Sequence, residues 1–154
     1  MREIGSTLSV FTDGGARGNP GEAGIGVYIT DEKKNVISEF GKKIGIATNN
    51  VAEYKAVLEA LVWIINNKNY LKKIKKINFF LDSQLVYSQI TGLYKVKDSK
   101  LRNLLFSVRE KEAQIGIRVL YTHIPREQNK KADLLVNMAL DLDYPTLCLF
   151  SSSW

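Results

Sequence analysis

The stretch SVFTDGGARGNPG, residues 9 to 21, decides the fold. Leu8, Val10 and Phe11 read as the end of a strand that delivers Asp13 into Gly14, Gly15, Gly18 and Gly21, residues that let a backbone turn sharply or approach a ligand closely. An aspartate at the carboxyl end of a strand stands where open α/β sheets present their ligands. Alone, an Asp-Gly pair is a common turn signal. Two familiar nucleotide-binding patterns fail on context. A strand rather than a helix follows the glycines and Pro20 interrupts them, and no Gly-Lys-Ser/Thr sequence makes a phosphate loop.

Beyond the turn, Ala23 to Thr30 and Val36 to Ile44 are apolar runs joined by turn residues Asp31 to Asn35, so the first three strands form an antiparallel meander. Thr48, Asn49 and Asn50 offer N-caps for a helix over 51–66, whose apolar residues at 57, 60, 61, 64 and 65 share one face. The run Ile77 to Leu81 reads as a buried strand ending in Asp82-Ser83, where a second helix over 84–91 begins. A third helix, capped by Asp98 or Ser99, carries Leu101, Leu104, Leu105 and Val108 at helical spacing and stops at Gly116. Ile117 to His123 makes a fifth strand. Asn129 can cap a last helix reaching about Leu142, with Leu134, Leu135, Met138 and Leu142 expected on its inner side.

The order βββαβααβα predicts an α/β fold with a mixed five-stranded sheet of order 3-2-1-4-5 and helices on both faces. Right-handed crossovers set strand four beside strand one, on the side away from the hairpin. The 154 residues suit a single domain, with 1–6 as an amino-terminal extension and 144–154 as a tail whose LCLF run can add to the sheet, cover the core or pair between chains, packing within the monomer being the expectation.

Charge narrows the class of partner. Residues 61–111 carry 11 basic and 3 acidic side chains, a net of +8, whereas the segments on either side are each at −1. A basic middle third is what a phosphate backbone would need, although a solubilising lysine-rich surface gives the same count. One cysteine, Cys148, excludes an internal disulfide and a cysteine zinc site. No apolar run has the length of a membrane span and the amino terminus lacks a signal-peptide core, so a cytoplasmic protein without membrane contact is expected.

Four acidic residues then converge on paper. Asp13 and Asp82 end adjacent strands, Glu53 lies in the first turn of the crossover helix, and Asp133 lies one turn into the last helix. Each has an ordinary reading on its own: Glu53 in a capping box with Asn50, Asp82 as a helix cap, Asp133 as a solvated helix residue. Together they would repel unless cations intervened. All-oxygen ligand sets suit Mg²⁺ or Mn²⁺, and two such ions can bind both the attacking and the leaving oxygen of a phosphodiester.

The set FTDGGARGNPG (11–21), TNNVAEYKA (48–56), FLDSQ (80–84) and HIPREQNKKAD (123–133) resembles type 1 ribonuclease H, over about residues 7 to 142. The resemblance implies a ribonuclease H-like fold and an endonuclease that cuts the RNA strand of an RNA/DNA hybrid with two Mg²⁺ ions, Mn²⁺ being possible, leaving 5′-phosphate and 3′-hydroxyl ends. It implies that Asp13 bridges both metals, that Asp133 helps hold the one that activates water, and that Glu53 and Asp82 hold the other. It makes His123 the residue that assists water or product release, with Arg126 the second candidate for that task. It assigns Asn19, Asn49 and Asn50 to the RNA minor groove and Thr48 to a DNA phosphate, with Ile46 where some members carry arginine. Gly14, Ser83, Arg126 and Asn129, within the same stretches, complete the expected substrate contacts with Lys95 and Lys97 of the basic connector. The shortness of that connector, compared with the basic insertion of several members, implies strongly salt-dependent binding. A catalytically idle nucleic-acid-binding module on the same fold is the competing reading, and a related transposase or junction resolvase is a third.

Overall fold

The computed structural model describes residues 4–142 and 146–151. In chain order the elements are β1 (Thr7–Arg17), β2 (Gly21–Asp31), β3 (Val36–Ala47), α1 (Asn49–Asn66), β4 (Lys76–Leu81), α2 (Gln84–Ile90), α3 (Ser99–Ile115), β5 (Arg118–His123), a 3-10 turn at Arg126–Gln128, α4 (Lys130–Asp141) and β6 (Thr146–Ser151). The sheet order is β5-β4-β1-β2-β3-β6, with β1 to β3 antiparallel and β4 and β5 parallel to β1. Five of these strands stand as expected. The sixth corrects the strand count: of the tail's open alternatives, addition to the sheet is the one observed, with β6 antiparallel to β3, where an apolar, β-prone run meets unpaired backbone groups along that edge.

Within the amino-terminal extension the Gly5 N–H donates to Asp31 Oδ2 at 3.3 Å and the Ser6 carbonyl accepts from the Lys75 N–H at 2.8 Å. Two further expectations are revised. Gly14 and Gly15 are strand residues paired with Ile25 and Gly24, so β1 runs on through the glycines and the turn falls at 18–20. The inner face of α4 is Ala132, Leu135, Val136, Ala139 and Leu140, whereas Leu134 and Leu142 are exposed.

The glycines explain the last two points. A Cβ at Gly14 would lie 2.3 Å from the Ala52 backbone, so glycine lets the first turn of α1 lie directly on β1. On the other face a Cβ at Gly26 would lie 2.2 Å from the Ala132 carbonyl oxygen, and one at Gly41 2.4 Å from that of Leu135. Helix α4 therefore rests in a trough of backbone, with small residues inward. Its leucines at 134 and 142 turn to solvent.

Helix α1 covers the opposite face, burying Val57, Ala60, Leu61 and Ile64 with Leu8 and Val10 of β1 and Ile77 and Phe79 of β4. The buried Tyr54 hydroxyl donates to Gln89 Oε1 at 2.8 Å, tying α2 to α1. Burial also raises the Tyr54 hydroxyl to about 12, so it stays a donor across the physiological range. Among the described residues no helix is long and apolar enough to cross a membrane.

Candidate active site

The last β1–β4 pair is Phe11 with Phe80, and two residues further along each strand stand Asp13 and Asp82. Helix α1 begins over the same edge. Its cap is Thr48, whose Oγ1 accepts from the Val51 N–H at 3.2 Å, so neither Asn49 nor Asn50 is used as the cap. Glu53 is thereby released from a capping box and is buried beside Asp13. Likewise Ser83, not Asp82, caps α2 by accepting from the Val86 N–H at 3.2 Å. Asp13, Glu53 and Asp82 each offer an oxygen within 4.8 Å of the others.

These three line a cleft of about 520 Å³ together with Asp133, which is exposed on the first turn of α4. Burial, and then the charge of Asp82, push Asp13 up to about 7, Asp133 adding to the rise. Glu53 is raised well above the ordinary carboxylate range by burial first and by Asp13 second. A hydrogen bond between the two lowers Asp13 in part and adds to the rise of Glu53. Its Oε2 is buried without a hydrogen-bond partner. Carboxylates held this close, one oxygen unpartnered, fit a divalent cation, which would supply the missing positive charge and accept oxygen ligands.

Of the other expected residues, Gly14, Asn49, Asn50, Ser83 and Arg126 line the cleft. Asn19 and Thr48 do not line it, but Asn19 is tied to a residue that does: its Oδ1 accepts from the Asn49 N–H at 3.0 Å, and the Asn49 Oδ1 accepts from the Ala16 N–H at 2.8 Å. That leaves each side-chain NH₂ as the group for a ligand. Lys95 and Lys97 are exposed on either side of buried Val96, outside the cleft. Ile46 is 74% exposed.

His123, Arg126 and Asn129 differ from one another. The His123 ring, exposed and beside Tyr87, lies 3.2 Å from the Asp82 carbonyl oxygen through Nε2 and is not part of the cleft wall, while Arg126 is. Asn129 departs from the capping role expected of it. It precedes α4 without a side-chain cap, because the 3-10 turn leads the chain straight into the helix, and it is 1% exposed. Its Nδ2 donates to the Thr12 carbonyl and to Asp82 Oδ2, both at 2.9 Å, so it orients a carboxylate from behind, outside the cleft lining.

Sequence reasoning missed Arg17, Gln84 and Asn137, which also line the cleft. Arg17 shares a face with Asp13 once β1 is seen to continue, and Asn137 follows Asp133 by one helical turn. Arg17 Nη1 pairs with Asp141 Oδ1 at 2.5 Å, bridging the end of β1 to α4.

An antiparallel meander joined to a parallel pair, with acidic residues gathered where the two meet, defines an α/β domain whose cleft is built to hold divalent cations. Residues 11–139 match the family described as Reverse transcriptase-like. A ribonuclease HI of Halobacterium salinarum is 38% identical over 138 residues, 89% of this chain and 66% of that protein. The bifunctional protein Rv2228c of Mycobacterium tuberculosis is 37% identical over 86% of this chain, which spans 35% of its length. A solved ribonuclease H1 isolated from compost, LC11, superposes with a TM-score of 0.84 at 42% identity, over 90% of this chain and 98% of that one, and it has also been solved in complex with an RNA/DNA hybrid. The chain belongs to this reverse transcriptase-like family, on the type 1 ribonuclease H branch.

Proposed function

We propose that the chain is an endoribonuclease that hydrolyses the RNA strand of an RNA/DNA hybrid, acting as a monomer with two Mg²⁺ ions. The observation that carries the reading is the convergence of Asp13, Glu53 and Asp82 within 4.8 Å, in the cleft that Asp133 completes. An idle binding module would hold a polyanion better without these charges. The hybrid complex of the LC11 enzyme supports the substrate.

Asp13 would be the ligand common to both ions, Asp133 would serve the side from which water attacks, and Glu53 and Asp82 the leaving-group side. Bound there, the ions would supply Lewis acidity and charge compensation on both sides of the scissile bond; Mn²⁺ meets the same donor set. Water adds to phosphorus, the P–O3′ bond breaks and the 3′-oxygen takes a proton, leaving 5′-phosphate and 3′-hydroxyl ends. Asn129 keeps Asp82 oriented by its hydrogen bond. The amides of Asn19, Asn49 and Asn50 read ribose hydroxyls, which they can approach as donors. Thr48, together with Gly14 and Ser83 of the cleft lining and the exposed Lys95 and Lys97, would contact backbone phosphates.

Incubation of a hybrid labelled on each strand in turn tests the proposal. Cleavage of the RNA strand alone, in Mg²⁺ and not in chelator, is the expected result. Tight hybrid binding with no cleavage in Mg²⁺ or Mn²⁺ would establish the binding module instead.

A further inference from the structure

Alternate residues of a strand share a face, so Phe11 and Phe80 stand on the same side of the sheet as Asp13 and Asp82, one strand repeat of ~7 Å back from the cleft. Helix α4 packs on this face against β1, β2 and β3, and its first residues, Lys130 and Lys131, border the rings described next. Across β4, β1 and β2 the rings of Phe80, Phe11 and Tyr28 form a half-buried row: Phe80 and Phe11 are stacked with centroids 4.8 Å apart, and Tyr28 lies 6.1 Å from Phe11. Between Phe11, Tyr28 and the segment 127–131 there is a second pocket, of about 160 Å³. An engineered cavity of about 150 Å³ accepts benzene, so this space suits one six-membered ring.

We propose that this pocket receives one base of an unpaired nucleic-acid strand, stacked against Phe11 and Tyr28 and held through its phosphates by Lys130 and Lys131. The lining charge is net positive: Lys130 and Lys131, both exposed, stand against one exposed carboxylate, Glu127, and the Lys131 ammonium lies 5.6 Å from the centre of the Tyr28 ring. Half-buried rings on a sheet face beside cations are the usual platform for single strands, since every base has a face to stack. Asn129 gives the pocket a link to the cleft. It lines the pocket, its Oδ1 is buried without a partner, and its Nδ2 holds Asp82. A strand occupying the pocket thus lies against the residue that orients an active-site carboxylate.

The test uses binding only, so it stands apart from the nuclease reading. A fluorescent eight-residue oligothymidylate, a DNA with no cleavable ribose, is titrated at low salt into the full chain and into its Tyr28→Leu and Lys131→Ala variants, with and without saturating blunt hybrid in chelator. Retained oligothymidylate binding beside the hybrid, weakened roughly fivefold or more by Tyr28→Leu and to a smaller, salt-dependent degree by Lys131→Ala, is expected. Lys131→Ala removes an exposed side chain and keeps the test valid if Tyr28→Leu fails to fold. No binding, binding displaced by the hybrid, or affinity indifferent to Lys131→Ala and to Tyr28→Leu if it folds overturns the proposal.

Discussion

The two walls of the cleft are built differently. On the α1 side, Thr48 caps the helix, Gly14 admits it against β1, and Asp13 and Glu53 are each 8% exposed and share a hydrogen bond. On the α4 side the helix start has no side-chain cap, and Asp133, Arg126 and His123 are all exposed. One wall fixes its carboxylates before any ligand arrives, at the cost of crowding like charges in a dry place. The other keeps its groups in water, free to move with substrate and product. Fixed groups should therefore be all-or-none in their effect, and exposed ones graded.

The sharpest test is Asp13→Asn, which should lower hybrid cleavage by more than about a thousandfold in a labelled-substrate assay, because it removes the carboxylate proposed above to serve both cation positions. Substantial activity in Mg²⁺ would show that the buried wall is not the catalytic one. Next come the two residues of the exposed wall. An assisting group contributes ~10² to 10⁴-fold, and Arg126 reaches the cleft while His123 does not. This reverses the order expected from the sequence. Arg126→Ala should lower turnover at saturating hybrid by at least about tenfold, and His123→Ala by less; the opposite ranking would return the role to the histidine.

Acid-base linkage separates the walls without any substrate. Burial and neighbouring charge raise Asp13 to about 7 in the folded protein, above its unfolded value of 3.8. Between those values the folded state binds the extra proton, so the stability of the metal-free protein should fall as pH rises from 4 to 7. Asp13→Asn should flatten that fall and raise the melting temperature at pH 7, as read by thermal scans in chelator. A wild-type melting temperature that climbs steadily over the same range would contradict the crowding. The smallest effect expected is outside both walls. Alanine at Lys95 and Lys97 should reduce the salt slope of hybrid binding by roughly one phosphate contact per lysine, and an unchanged slope would place the hybrid elsewhere.

The acidic cluster was legible because strand ends and helix starts are marked by local chemistry, and right-handed crossovers then leave little freedom in how they meet. The competition for caps was legible only in part. Thr48, Asn49 and Asn50 are all competent, and the winner depends on Asn19 and Ala16, more than thirty residues away in the case of Ala16, engaging Asn49. Asn129 was misread for a similar reason. Its type suits a cap, yet its side chain is turned to the half-buried Asp82 carboxylate and the Thr12 carbonyl and away from the helix end. The leucines of α4 misled because apolar periodicity names a stripe without saying how close the helix lies. That distance was written in Gly26 and Gly41 of the partner strands.

The glycine trough also governs what a mutational survey of this protein would find. Asp133 rides on a helix whose Ala132 and Leu135 carbonyls rest on bare backbone, so any side chain at 26 or 41 lifts that helix, and the carboxylate with it. In a screen that scores only product formed, both positions would look like members of the catalytic set although neither carries a functional group. Position 14 would join them by the same route on the opposite wall. Only a parallel readout of abundance or melting would sort the residues that perform the reaction from those that set its geometry.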